Sequence, residues 1–155
     1  MDPFIHGTIS ALAIVRKTGW SRQIWSFIFF GVLPDIYGII TLALVILGLK
    51  SDWLDDNFFA QYNITHSILV FLLVSALVSL CLRKIYWPFS MYGLHIVVDM
   101  LSHQITPTPW LWPLSDFTIS GWFEYTEPTV FLITYAIVVP VWAFIYLNKK
   151  IRVKN

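Results

Sequence analysis

The chain contains little charge and a single cysteine. Charged residues make up 12% of its 155 residues, whereas hydrophobic residues make up 57%. The few basic residues form short clusters beside apolar segments instead of covering one face, which argues against a nucleic-acid partner. The lone cysteine, Cys81, cannot form an intrachain disulfide. This composition predicts one integral membrane domain covering residues 1–155.

Four apolar segments approach the length of about 20 residues that crosses the hydrocarbon of a bilayer. They cover residues 24–49, 64–82, 85–105 and 129–147, and a shorter helix is expected over 5–16. No flexible linker or internal repeat separates the segments. The sequence therefore predicts an all-α fold, a polytopic membrane helical bundle with about four long transmembrane helices plus a short N-terminal helix.

The charges that flank these segments predict an orientation. Basic clusters lie at 16–22, 83–84 and 149–154, whereas the connections "SDWLDDNFFAQYN" and "TPTPWLWPLSDFTISGWFEYTEP" contain no Lys or Arg. By the positive-inside rule, the basic clusters and the C-terminus lie in the cytoplasm and the acidic connections face outward. We expect a protein of a prokaryotic plasma or inner membrane, in contact with membrane lipids.

Six ionisable residues lie within or beside the apolar segments. Such a residue costs ~2.5–3.5 kcal/mol at the centre of a membrane helix, so each is a functional candidate. Counted along the helices from the basic clusters, they converge near the outer side of the membrane. Imidazoles and carboxylates without a thiolate suit Zn²⁺ or a similar divalent ion. The six are His6, Asp35, His66, His95, Asp99 and His103.

Two of the predicted helices contain residue patterns that predict the local placement of ionisable side chains. His95 and Asp99 are four residues apart, which places them on one helical face, and His103 follows one turn later. Asp35 follows Pro34 in "GVLPDIYG", where proline predicts a kink. A bent helix at membrane depth is tolerated where it lines a polar cavity, so we expect Asp35 to face one. Gly31 and Gly38 predict a close approach of neighbouring backbone.

Five short motifs follow one another between residue 4 and about residue 115. They are "FIHGTI", "GVLPDIYG", "YNITHSIL", "GLHIVVDMLSHQITP" and "WLWPLS". In this order they resemble the YdjM-like family of predicted membrane-bound metal-dependent hydrolases. The order of ligands is also similar to that of zinc-dependent phospholipase C and P1 nuclease, which hydrolyse phosphate esters at a metal cluster.

The resemblance implies a ligand set. Asp35, His66, His95 and Asp99 would surround one metal ion, and His6 would approach a second that Asp99 bridges. The family often has a second acid and a further histidine where Tyr37 and Gln61 stand here. The later His-x-x-x-Glu pair of the phospholipase group has no counterpart after His103. We therefore expect one or two divalent ions, zinc above all.

The expected function is metal-dependent hydrolysis in the membrane. Water activated by the metal would cleave a phosphate ester of a phospholipid or another amphiphile on the extracytoplasmic side. Asp35 would be the catalytic proton acceptor. The expected accessory residues, which would orient the imidazoles, are His103, Tyr37, Thr65 and Ser102.

Two other interpretations use the same residues. A non-enzymatic membrane protein could bind or conduct a cation or protons through them, as His and Asp chains at membrane depth do elsewhere. A structural subunit could instead pair its four histidines with its two aspartates across helices without a metal.

Overall fold

The computed structural model describes residues 3–18, 23–49 and 52–152. Most of these residues are helical, and the short N-terminal helix predicted for 5–16 is confirmed. The α-helices are α1 Pro3–Thr18, α2 Gln23–Val32, α3 Ile36–Ile46, α4 Asp52–Thr65, α5 Ile68–Leu82, α6 Ser90–Ser102 and α7 Pro128–Arg152. Single 3₁₀ turns, Leu33–Asp35 and Trp87–Phe89, precede α3 and α6.

Two connections are more structured than the sequence predicted. The connection 51–63 was expected to face outward without a helix, but its described part, 52–63, belongs to helix α4. The segment between α6 and α7 contains two short strands, β1 Thr108–Pro109 and β2 Thr118–Ile119. The strands pair antiparallel, Thr108 with Ile119 and Pro109 with Thr118. The described residues are therefore mostly helical, in agreement with the all-α prediction, apart from this ribbon of two two-residue strands.

The described residues contain one helix that is long and apolar enough to cross a membrane, Gln23–Ile46. The end of α4 and helix α5, Asn57–Thr65 and Ile68–Leu82, pass the same test only as a pair bent by 57°. Helix α6 has 13 residues, and the apolar part of α7, Pro128–Phe144, is also short of a span. The prediction of four long spans is thus not confirmed, although one or two spans are present by length and composition.

The predicted proline kink appears as a change of helix type near Asp35. Helix α2 ends at Val32, and buried Pro34 lies inside the 3₁₀ turn that leads into α3. Proline lacks the backbone N–H of an α-helix, which explains the local change of hydrogen bonding. The turn places the Asp35 side chain beside α6, where Asp35 meets His95.

The two glycines of this region behave differently. A Cβ at Gly31 would overlap the Ser10 hydroxyl of α1, so the predicted close approach is confirmed there. No atom lies within 4 Å of a Cβ built at Gly38, so the same prediction is wrong for Gly38. Helix α1 packs along α2, and α2 packs against α6, which brings the polar residues of these three helices together.

The interior is unusually polar and the exterior unusually apolar. Fully or nearly fully buried residues include His6, His66, His95 and Asp99, whereas no residue of α5 is buried. Exposed large apolar side chains are expected where lipid covers the surface, and in water they would form an unfavourable patch. The distribution agrees with a bundle that encloses polar groups and presents apolar side chains to a bilayer.

Candidate metal centre

All four histidines of the chain contact the carboxylate of Asp99. His66 and His95 place Nε2 at 3.2 and 3.0 Å from Oδ2. His6 and His103 place Nε2 at 3.0 and 3.2 Å from Oδ1. The two carboxylate oxygens therefore face two different pairs of imidazoles.

The Oδ2 side of Asp99 completes a group of four potential ligands. Asp35, His66, His95 and Asp99 each offer one ligand atom, and these atoms all lie within 4.8 Å of one another. Asp35 Oδ1 lies 3.4 Å from His66 Nε2 and 3.5 Å from His95 Nε2. The two imidazole nitrogens are 3.2 Å apart.

These separations fit a four-coordinate divalent ion. Zinc binds nitrogen and carboxylate oxygen at about 2.0–2.1 Å, so neighbouring ligands of a tetrahedral site lie roughly 3.3 Å apart. The five ligand pairs with a measured distance here are separated by 3.0–3.5 Å. The spacing of the side chains therefore matches the edges of a zinc-sized tetrahedron.

The second nitrogen of each imidazole fixes which way the lone pair points. His95 Nδ1 lies 2.8 Å from the carbonyl oxygen of Gly31. His66 Nδ1 lies 3.2 Å from the carbonyl oxygen of Tyr62 and 2.9 Å from the Thr65 hydroxyl. A carbonyl only accepts, so each Nδ1 donates its proton and each Nε2 keeps a lone pair directed into the cluster. Two such lone pairs at 3.2 Å repel each other unless a metal ion or a proton lies between them.

His6 and His103 border the cluster on its other side. The His6 ring stacks on the His95 ring with 3.6 Å between centroids, and its Nε2 faces Asp99 Oδ1. His103 ends α6, is buried, and contacts the Thr106 hydroxyl through Nδ1 at 2.8 Å. Both residues thus contact the Asp99 oxygen that the four-residue group does not use.

Residues 1–153 match the YdjM inner membrane protein family. The chain belongs to this family. No curated protein and no solved structure is significantly similar to it. The family agrees with a location in the inner membrane and with the apolar helix Gln23–Ile46.

The predicted accessory residues occupy different positions. Thr65 donates to the carbonyl oxygen of Gln61 at 3.0 Å, which leaves its oxygen free to accept from His66 Nδ1. Tyr37 lines the cavity beside the cluster. Ser102 donates instead to the Val98 carbonyl oxygen of its own helix at 3.0 Å, so its hydroxyl does not orient an imidazole.

Three contacts that shape the site were not predicted from the sequence. The Gly31 carbonyl and the Tyr62 carbonyl hold the two imidazoles, and both depend on how helices pack. The third is Glu124, whose buried carboxylate accepts from the backbone N–H groups of Gln104 and Ile105 at 3.1 and 2.9 Å. No sequence signal separates Glu124 from nearby Glu127.

The segment around Glu124 also closes the C-terminal end of α6. A helix leaves its last carbonyl groups without intrahelical donors. Here the backbone N–H groups of residues 121, 122 and 125 donate to the carbonyl oxygens of residues 103, 101 and 102. A Cβ at Gly121 would lie 2.6 Å from the backbone nitrogen of His103, so only glycine permits this contact. The arrangement fixes the end of the helix that carries His95, Asp99 and His103.

A cavity of about 350 Å³ adjoins the four-residue group. Asp35, His66 and His103 line one end of it. None of the described residues that line the cavity is a lysine or an arginine. An anionic ligand in this cavity would therefore depend on a bound cation for charge neutralisation.

Proposed function

We propose that the chain is a metal-dependent hydrolase that cleaves a phosphate ester of a phospholipid or another amphiphile. The observation that carries this proposal is the group of Asp35, His66, His95 and Asp99, whose ligand atoms have the spacing of a tetrahedral metal site beside a cavity. The ligand order in the sequence resembles that of zinc-dependent phospholipase C, and this resemblance is the reason for proposing phosphate esters as the substrate class.

Asp35, His66, His95 and Asp99 would hold the ion, with zinc the first candidate. A divalent ion in this position supplies Lewis-acid chemistry, because it lowers the pKa of water and polarises a phosphoryl oxygen. The residues around the cluster have other tasks. Thr65 and the Tyr62 carbonyl orient His66, and the Gly31 carbonyl orients His95.

Asp35 is the proposed proton acceptor. Its Oδ1 faces the imidazoles, whereas its buried Oδ2 has no hydrogen-bond donor within the described part of the chain. The side chain lines the cavity, so a substrate or a water molecule held there lies next to this carboxylate. A carboxylate with one oxygen uncommitted suits general-base chemistry.

The site is proposed to face the extracytoplasmic side of the inner membrane, with the C-terminus in the cytoplasm. Membership of the YdjM inner membrane protein family supports a location in the inner membrane. The basic clusters at 83–84 and 149–154 support the orientation. A lipid or another amphiphile reaches such a site without leaving the bilayer.

Hydrolysis of bis(p-nitrophenyl) phosphate by the full chain in mild detergent tests the proposal. Removal of metal with a chelator should abolish the activity, and added Zn²⁺ should restore it. Asp35→Asn should lower the rate by about 10²–10⁴-fold, as expected for loss of a general base. The exposed acid Asp116 provides the control, because Asp116→Asn leaves the cluster intact.

An equal rate with and without metal would contradict the proposal. Bound metal without hydrolysis of this ester, of phospholipids or of isoprenoid phosphates would favour the non-enzymatic, cation-binding alternative.

A further inference from the structure

The cavity beside the candidate metal centre has two chemically different ends. Its polar end contains Asp35, His66 and His103. Its apolar end lies between α3 and α4 and is formed by Ile39, Leu42, Phe58 and Phe59, which we call the α3–α4 groove. The volume of about 350 Å³ lies near the lower limit of ligand-binding cavities, which span roughly 300–1,000 Å³.

The α3–α4 groove is open along its apolar side. Leu42 is 61% exposed and Phe59 is 64% exposed, so the part of the chain that the structure describes does not cover the rim. Helix α3 belongs to the apolar helix Gln23–Ile46, the candidate membrane span. If this helix crosses the membrane, the open rim faces hydrocarbon, and an apolar chain can enter from the bilayer without crossing water.

We propose that the α3–α4 groove binds one linear hydrocarbon chain of a phosphate amphiphile whose headgroup lies at the metal centre. This inference rests on the proposed function. It assigns a binding site to the hydrocarbon chain of the substrate, which the polar end of the cavity cannot recognise. The volume is too small for two long chains, and the open rim at Leu42 and Phe59 lets the end of one long chain extend beyond the cavity. The apolar rim supplies affinity through burial of methylene groups, whereas the cluster at the polar end selects the charged headgroup.

Gly38 offers a direct way to block the groove. It lines the cavity, and a Cβ added there would meet no atom within 4 Å. A side chain can therefore start at this position without a clash of its Cβ, and we expect a larger one to occupy part of the cavity. Leucine also has a higher helix propensity than glycine, so Gly38→Leu should not impair the folding of α3.

Ala43 provides a matched control. It lies on the same helix, is exposed, and does not line the cavity. Ala43→Leu adds a side chain of the same size to α3 outside the groove. Any general effect of an extra leucine on α3 should then appear in both variants.

The test is binding of two phosphonates to the metal-loaded full chain, measured by native mass spectrometry in a sterol-based detergent. Hexadecylphosphonate carries a long chain, butylphosphonate carries a short one, and neither contains a phosphate ester that the protein could cleave. Wild type should bind hexadecylphosphonate more tightly than butylphosphonate. Gly38→Leu should weaken hexadecylphosphonate binding by roughly tenfold, equivalent to about two methylene groups, and leave butylphosphonate binding unchanged. Ala43→Leu should behave as wild type.

Equal binding of the two phosphonates by wild type would overturn the inference. So would an unchanged preference in Gly38→Leu, or an equal loss in Ala43→Leu. Failure of the hydrolase proposal has a different signature: chain-length preference would persist in a protein that contains metal but does not hydrolyse bis(p-nitrophenyl) phosphate. The two proposals can therefore fail separately.

Discussion

The Nε2 atoms of His66 and His95 lie 3.2 Å apart, although each ring already directs its Nδ1 proton to a backbone carbonyl. Facing lone pairs at this distance are unfavourable in a buried site. Asp35 and Asp99 bring two carboxylates to the same point. A bound divalent cation would account for all four side chains at once, whereas a metal-free cluster needs a second proton on one of the two imidazoles.

Loss of the Thr65 hydroxyl should weaken metal binding without unfolding the protein. Thr65→Val removes one of the two acceptors of His66 Nδ1 and leaves the Tyr62 carbonyl at 3.2 Å. Loss of such a supporting hydrogen bond typically costs about 10–100-fold in metal affinity. Competition with a chromogenic chelator measures the change. Thr134→Val is the control, since Thr134 makes the same kind of bond, to the Val130 carbonyl, within α7. Equal affinities in wild type and Thr65→Val would show that Thr65 does not support the ligand.

Substitution of Gly31 should be costly, and substitution of Gly38 should not. The Cβ of Gly31→Ala would overlap the Ser10 side chain and displace the carbonyl that holds His95. Overpacking of this kind costs about 1–3 kcal/mol. Gly38→Ala meets no atom within 4 Å and should be neutral or stabilising by up to about 1 kcal/mol. Thermal unfolding in detergent gives both values.

Ser10→Gly should rescue Gly31→Ala, because it removes both Ser10 atoms that the new Cβ would meet within 3 Å. A double variant no more stable than Gly31→Ala alone would assign the cost of the substitution to something other than the α1–α2 contact.

Glu124 should make stability depend on pH through the end of α6. Burial would raise the pKa of Glu124, but hydrogen bonds from the backbone of Ile105 and from Thr126 outweigh it and lower the pKa below its usual 4.5. The unfolded chain thus binds the proton more readily than the folded one. The stabilisation is fully present above pH 4.5 and is lost as the pH falls toward the lowered folded pKa.

Glu124→Gln removes this charge and should lower stability by about 1–3 kcal/mol near neutral pH, because charge-assisted bonds to backbone N–H groups are lost. The difference between wild type and Glu124→Gln should shrink below about pH 4.5. Glu127→Gln, at a neighbouring exposed acid, should have little effect. A difference that stays constant across this pH range would contradict the assignment.

The proposed orientation can be read from two cysteines in a Cys81→Ser background. Trp122 is 86% exposed in the segment between α6 and α7, so Trp122→Cys should react with a membrane-impermeant maleimide from the extracytoplasmic side. A cysteine added after Asn155 should react only from the cytoplasm. Intact spheroplasts and inverted vesicles distinguish the two sides, and the reverse pattern would overturn the outward-facing site.

Contacts within one helix could be predicted from the sequence. The spacing of His95 and Asp99 placed both on one face of α6, where the structure has them 3.0 Å apart. A local disturbance of the helix at Pro34 was also predictable, since proline acts on its own backbone, and the structure has a 3₁₀ turn there. The convergence of Asp35 and His66 on this pair followed from motif order, and the four ligand atoms do lie together.

Contacts between helices could not be predicted in the same way. The orientation of His95 depends on the Gly31 carbonyl of α2, which the sequence of α6 does not indicate. Segment 64–82 is apolar almost throughout, yet it breaks at Ser67, whose hydroxyl caps α5 and donates to the Trp112 carbonyl oxygen at 2.8 Å. Hydropathy responds to composition along the chain and does not indicate where helices break, so the helix boundaries do not confirm the four predicted long spans.

Metal content of the purified protein tests the central claim most directly. Wild type, prepared in mild detergent without added metal, should contain about one or two equivalents of a divalent ion such as Zn²⁺ per chain. His95→Ala and Asp99→Ala should each lose an ion, whereas the exposed-site control Asp116→Asn should retain the wild-type content. A wild-type protein that is folded but contains less than about a tenth of an equivalent of any divalent metal, even after incubation with Zn²⁺, would contradict the metal centre.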